Sequence, residues 1–231
     1  RELWWYSCNE PRYPYPSYHI DDTMTSTIAF EWMMAEYDIV GNLYWAVNYH
    51  MDETGQNLEN AYDVAHRGSG ANGEGAIIYP GKQYGVDGPV ASIRLDAIRD
   101  GYEDYELIRI LKEGYAALGK DASDLIHQIT ESIYKESSIV GDSAEYEAAR
   151  EILLQSVEAM QSPAQLTINS IRKEDAASGE QYSFTISAAE GTELYSDDTK
   201  LTAQDGQYIV VKSLTESSNY LKLSAQKDDT K

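Results

Sequence analysis

The 231 residues are 42% hydrophobic and 25% charged, enough to bury a substantial core in one or two domains. The formal net charge of −21, carried mostly by residues 1–163, repels phosphate backbones and argues against nucleic acid as a partner, while neutral polymers such as glycans stay open. No apolar run reaches the roughly 18 residues that a membrane span needs, and the single cysteine, Cys8, rules out an internal disulfide and argues against a thiolate metal site.

The first predicted element is an aromatic strand, Leu3-Trp4-Trp5-Tyr6-Ser7-Cys8-Asn9, ended by Pro11, Pro14 and Pro16 interleaved with Tyr13, Tyr15 and Tyr18. The prolines forbid helix and regular sheet, so a rigid, ring-rich loop follows. From about Asp22 to Tyr37, helical spacing of Met24, Ile28, Trp32 and Ala35, widened by Phe30 and Met33, predicts a helix capped by Asp22 or Thr23. Gly41 breaks the chain, and Leu43 to His50 reads as a second strand with Asn48 and Tyr49 at its C-terminal end. Strand, helix, strand is the order of a parallel α/β sheet.

Residues 51–75 are polar and glycine-rich, which predicts a long excursion rather than a packed element. Gly68, Gly70, Gly73 and Gly75 lack the Lys-Ser or Lys-Thr of a phosphate loop and are expected to form a mobile flap beside a cleft. Ala76 to Gly81 is a short strand, and Pro89 and Ser92 introduce a helix with Leu95, Ile98, Tyr102, Tyr105, Ile108 and Leu111 on its apolar stripe. Its other faces carry Arg94, Asp104 and an Arg99–Glu103 surface pair. Two more helices are predicted, Ser123 to Lys135 and Ser143 to Gln161, the second with a capping box at Asp142 and Glu145. After Pro163 the period changes: Tyr182, Phe184 and Ile186 alternate with polar residues, as do Tyr220 to Leu223. Turns at Ser178-Gly179, Glu190-Gly191 and Asp205-Gly206 complete the pattern of a small all-β, immunoglobulin-like sandwich. The expected domains are therefore 1–162 and 163–231.

Several blocks in order carry a resemblance: Leu3 to Cys8, Ile20-Asp21, Gly41 to Tyr49, Tyr79-Pro80-Gly81, and Ser92 to Glu106 with its Arg-Asp-Gly-Tyr-Glu-Asp-Tyr-Glu core. Together they resemble the C-terminal part of the catalytic domain of glycoside hydrolase family 123, over roughly residues 2–112. The chain departs from that pattern at Thr23 and Ile28, where relatives commonly carry a proline and an arginine. The resemblance implies a (β/α)₈ barrel, of which this chain supplies the last strands and trailing helices, and β-N-acetylgalactosaminidase-like activity. In that chemistry the substrate's own 2-acetamido oxygen attacks the anomeric carbon, one of the exceptions to the two-carboxylate rule. An adjacent Asp-Glu pair orients the amide and protonates the leaving oxygen, and the resemblance puts that pair on an earlier strand. The chain opens at Arg1 directly before a strand and is expected to be a portion of a longer protein, with the missing N-terminal barrel portion as its structural partner. An extracellular or cell-surface bacterial setting is expected.

The active face of such a barrel lies at the C-terminal ends of its strands. Sugar rings stack on aromatic faces and their hydroxyls pair with amides, carboxylates and phenols. The expected substrate-binding residues are therefore Tyr6, Asn9, Asp21, Trp45, Asn48 and Tyr49, whereas Trp4, Trp32 and Tyr44 are expected in the core. Asp52-Glu53 imitates a catalytic dyad, but Thr54, Gly55, Gln56 and Asn57 predict a solvated turn, so no catalytic residue is expected in this chain. His19, His50 and His66 match no metal spacing, and no cofactor is implied. The partner is a glycan; the alternative is a non-catalytic carbohydrate-binding or cell-surface adhesion fragment.

Overall fold

The computed structural model describes residues 1–52, 54–66, 71–176, 179–213 and 221–227. The chain forms two compact units, Arg1–Ile108 with Thr130–Arg150 and Arg109–Ile129 with Glu151–Lys231.

In the first unit, β1 (Trp4–Ser7) leads through the proline loop to α1 (Met24–Glu36) and returns as β2 (Gly41–Tyr44), parallel to β1 with Tyr6 opposite Leu43 and Ser7 opposite Tyr44. The expected α/β order is therefore present. Side chains alternate across this sheet. Trp5 and Tyr44 pack against Tyr18, Phe30, Met34, Ile39 and Ile77, with Leu95, Ile98 and Tyr105 closing the cluster. Leu3, Trp4, Tyr6 and Leu43 stay largely uncovered, at 54, 60, 53 and 55% exposure. Trp4 is thus not the core residue expected: its indole lies flat over Gly41, where a Cβ would come within 2.2 Å of the ring. Trp32, by contrast, is fully buried.

Thr23 caps α1, its hydroxyl accepting from the Ser26 N–H at 3.2 Å, while Asp22 instead accepts from the Ser17 hydroxyl. Every residue from Thr25 to Ala35 is buried, so the helix is enclosed all round rather than striped. Polar groups within this enclosure pair with other segments: the Thr27 hydroxyl donates to the Ser17 carbonyl, and the Trp32 indole donates to Asp104 at 3.0 Å.

The second strand is shorter than expected. Regular pairing ends at Tyr44, because from Trp45 the chain bonds instead to the segment 75–78: Val47 accepts from the Ile77 and Ile78 N–H groups, and the Tyr49 N–H donates to the Gly75 carbonyl. The excursion before it is also packed. Residues Ala61–His66 form a 3₁₀ turn whose Ala61 and Val64 join Ala76 and Tyr79 in a second cluster. Strand β3 (Ile78–Pro80) pairs antiparallel with β4 (Pro89–Ala91). Helix α2 (Ile93–Ala117) starts behind Ser92, and α3 (Ser123–Thr130) stops five residues earlier than its apolar spacing suggests. The rest of that spacing is taken up by a hairpin, β5 (Tyr134–Lys135) and β6 (Ser138–Ile139), turned at Glu136 with φ of 54°. Helix α4 (Ser143–Gln161) has the expected bounds, and its capping box is closed by Asp142 N–H to Glu145 at 3.0 Å and Ala144 N–H to Asp142 at 2.8 Å.

Among its described residues the second unit holds two three-stranded antiparallel sheets. One has β8 (Gly179–Ser187) between β7 (Thr167–Ala176) and β11 (Tyr208–Ser213); the other has β9 (Thr192–Ser196) between β10 (Thr199–Lys200) and β12 (Leu223–Lys227). The alternation holds: Phe184, Ile186 and Val210 from the first sheet share one buried cluster with Leu194 from the second, joined by Leu221 and Leu223. Turns fall at Glu190-Gly191 and Asp205-Gly206. Ser178 and Tyr220 lie outside the described residues.

Candidate functional site

Two features of the sequence position the candidate site: the parallel strand ends of β1 and β2, and the glycine-spaced turn Gly73-Glu74-Gly75. Gly73, Glu74 and Gly75 are buried and hydrogen-bonded, Gly73 N–H to Val64, Glu74 N–H to Ala71 and Ala76 N–H to Gly73. The described part of the expected flap is thus a fixed wall, held because its backbone groups are satisfied; Gly68 and Gly70 lie outside the described residues. Gly75 has φ of 74°, and a Cβ there would meet the Trp45 ring at 2.6 Å. Its N–H donates to the Tyr44 hydroxyl at 2.7 Å. Tyr44, packed in the core as expected, therefore also braces this turn.

Trp45 is backed by Gly75, flanked by the Tyr49 ring at 4.9 Å between centroids, and bonded through its indole N–H to the Glu74 carboxylate. Tyr6, on the exposed face of β1, has its phenol pKa raised by desolvation, by Cys8 and by the charge of Glu74. Glu74 thus holds the ring that follows the end of β2. Sequence reasoning missed it; an acid set between two positive-φ glycines, 73 and 75, is the signal that was present.

The remaining expected residues sit elsewhere. Asp21 accepts from the Asn72 side-chain N–H₂ at 3.0 Å and its backbone N–H at 3.3 Å, in an open cleft of about 510 Å³ with Arg12, Tyr13, His19 and Thr23. Asn9 is exposed and accepts from the Cys8 thiol at 3.2 Å. Asn48 pairs through its backbone with Ala76 and lines a cleft of about 340 Å³ with His50, Tyr79, Pro80 and Lys82. Residues 72–76 touch all three places. Among the described residues no cluster of three His, Cys, Asp or Glu is arranged to hold a metal ion.

Asp52 is exposed and its pKa is lowered by the Thr54 hydroxyl and by the backbone N–H groups of Gln56, Thr54 and Gly55. A carboxylate stabilised in its ionised form is a poor proton donor. Glu53 lies outside the described residues.

Arg94, expected on a polar helix face, is buried. It donates to the carbonyls of Tyr18 (2.6 Å), Gly73 (2.9 Å) and Ala76 (2.5 Å) and to the Tyr79 hydroxyl (3.3 Å). One guanidinium from α2 therefore fixes the proline loop and the site turn together, a task its forked donor set allows.

Rings exposed at parallel strand ends, a carboxylate holding one of them, and an arginine behind the turn form a wall suited to a hydroxylated, partly apolar ligand. Residues 1–111 match the family model of the glycoside hydrolase 123 catalytic domain. The resemblance carried by the sequence blocks holds over that segment, which includes every residue of the wall. No curated protein matches the chain. Among the described residues no helix is long and apolar enough to cross a membrane.

Proposed function

We propose that the chain forms the saccharide-binding wall of a glycoside hydrolase acting on N-acetylhexosamine-containing glycans. The chemistry is β-N-acetylgalactosaminidase-like, with substrate-assisted retention, and the Asp-Glu pair that orients the acetamido group and protonates the leaving oxygen stands upstream of Arg1. The observation that carries this reading is the pair of rings Trp45 and Tyr49, with the Trp45 indole bonded to Glu74, just past the C-terminal end of β2, the side of a (β/α)₈ barrel where substrates bind. The uncovered face of Trp4, Tyr6 and Leu43 supports it, because further strands of the barrel would cover such a face. Residues 163–231 act as an accessory β-sandwich, and the setting is extracellular or at the cell surface.

The test uses the full-length protein and an aryl N-acetyl-β-D-galactosaminide. Release of N-acetylgalactosamine is expected, and Trp45→Ala should lower kcat/KM by roughly tenfold or more, the loss of one stacking ring. Glycan affinity without turnover would transfer the chain to the binding or adhesion class; neither affinity nor turnover would end the saccharide reading.

A further inference from the structure

The loop between β1 and α1 is fixed along its length. His19 Nε2 donates to the Cys8 carbonyl at 3.1 Å, the Pro14 carbonyl accepts from the Ile139 N–H at 2.7 Å, and the Ser17 N–H donates to the Ser26 hydroxyl at 3.2 Å. Arg94 holds the Tyr18 carbonyl from α2. Yet this braced loop leaves the Tyr13 ring 60% exposed. A single exposed ring needs no explanation in itself; Tyr13 is distinguished by its place. It lines the open cleft of about 510 Å³ together with Asp21, a volume inside the roughly 300–1,000 Å³ of small-molecule sites. Asp21 is fixed in turn by the side-chain N–H₂ and the backbone N–H of Asn72. A carboxylate accepts about four hydrogen bonds, so Asp21 keeps capacity for a ligand. Ring and acceptor in one cleft are the pair a pyranose uses, its C–H face on the first and a hydroxyl on the second. Because both are held before binding, little freedom is lost when a sugar arrives.

A short, fixed piece of chain ties this cleft to the Trp45 wall. Asn72 lines the cleft, and Gly75 lies against the Trp45 ring. Three residues span at most about 11 Å, and the turn between is closed by bonds from Gly73 N–H to Val64 and from Ala76 N–H to Gly73. That reach suits neighbouring residues of one glycan chain.

We propose that the cleft is a second saccharide subsite, with Tyr13 as its stacking platform and Asp21 as its hydroxyl acceptor, so that the ligand is an oligosaccharide running from this cleft to Trp45. The inference rests on the saccharide reading above and deepens it by naming the substrate class as an oligosaccharide.

Isothermal titration of the full-length protein compares two probes, methyl N-acetyl-β-D-galactosaminide and a sulfur-linked, non-hydrolysable trisaccharide of the same β-linked sugar. Wild type should bind the trisaccharide at least about tenfold more tightly than the methyl glycoside. Tyr13→Ala should weaken the trisaccharide about tenfold, the loss of one stacking ring, and keep the methyl glycoside within about twofold of wild type. Tyr13→Phe retains the ring and should retain trisaccharide binding. Asp21→Ala should likewise weaken the trisaccharide alone. Variants that weaken both probes alike make the cleft a brace for the wall, and variants that weaken neither leave it without a sugar; either result overturns the subsite. Should Asp21→Ala fail to fold, the exposed Tyr13 still decides. Wild type that binds the trisaccharide no more tightly than the methyl glycoside removes this inference alone, whereas wild type that binds neither takes the saccharide reading with it.

Discussion

Among the described residues Glu31 has no charged partner. It is fully buried on α1, accepts from the Tyr18 hydroxyl at 2.6 Å, and lies against Gly101 and close to Tyr102, with its second oxygen unpaired. Burial pushes its pKa up to about 8, partly offset by the Tyr18 bond. Its unfolded value is about 4.3, so across the interval up to 8 the folded state holds a proton that the unfolded state has lost. The stabilisation is complete below the unfolded value and is lost as pH rises through the folded one. Urea denaturation should therefore show stability falling by roughly a few kcal/mol between pH 5 and 8, and Glu31→Gln should flatten that slope; an equal slope in the variant would contradict the assignment. Asp104 is the opposite case, a buried acid saturated with donors: Trp32 at 3.0 Å, Tyr146 at 2.7 Å and Arg150 at 2.8 Å. Removing it in Asp104→Ala strands three donors, one of them charged, and should cost about 3–5 kcal/mol in the same assay.

At the level of elements, the capping box of α4 offers the simplest test. Asp142→Ala should destabilise by about 1 kcal/mol, read as a lowered urea midpoint with an unchanged slope. That box was legible in the sequence because Asp142 and Glu145 act within one turn of each other. So were the β1–α1–β2 order and the alternation of Phe184 and Ile186, each set by local periodicity. Where sequence reading failed, a distant partner had intervened. Ile133, inside the helix expected over Ser123 to Lys135, is buried instead in the turn that leads into the β5–β6 hairpin, since a short apolar run satisfies either period. Asp104 and Arg94 looked like surface charges because their partners lie far along the chain: Trp32 and Arg150 for one, Tyr18 and Gly73 for the other. Trp4 looked like core because nothing in its own strand reveals which face of a sheet is covered. The rings of the site were visible for the same reason that Glu74 was not: composition marks aromatic clusters, whereas a buried acid in a turn is marked only by its glycine neighbours.

For the molecule as a whole, the uncovered face of Trp4, Tyr6 and Leu43 on the β1–β2 parallel pair is the dominant feature. Parallel sheets are ordinarily covered on both faces, and an open apolar edge invites pairing with another chain. The 231-residue chain by itself should self-associate, and Leu43→Lys should shift light scattering toward the monomer; a wild-type chain that is monomeric and unfolds cooperatively would count against a missing set of strands. The net charge of −21 opposes association at long range but is screened within about 10 Å at 0.1 M salt, so added salt should enhance clustering.

The Arg94 fork has a consequence for how variation in such a wall would be read. Lysine keeps the charge at position 94 but delivers it from one nitrogen with three N–H donors, too few and too close together for the four acceptors that Arg94 serves from two nitrogens. An exchange scored as mild by residue similarity would thus blunt recognition while leaving each sugar-facing side chain in place, an inactive look-alike whose defect is hidden one layer beneath the surface.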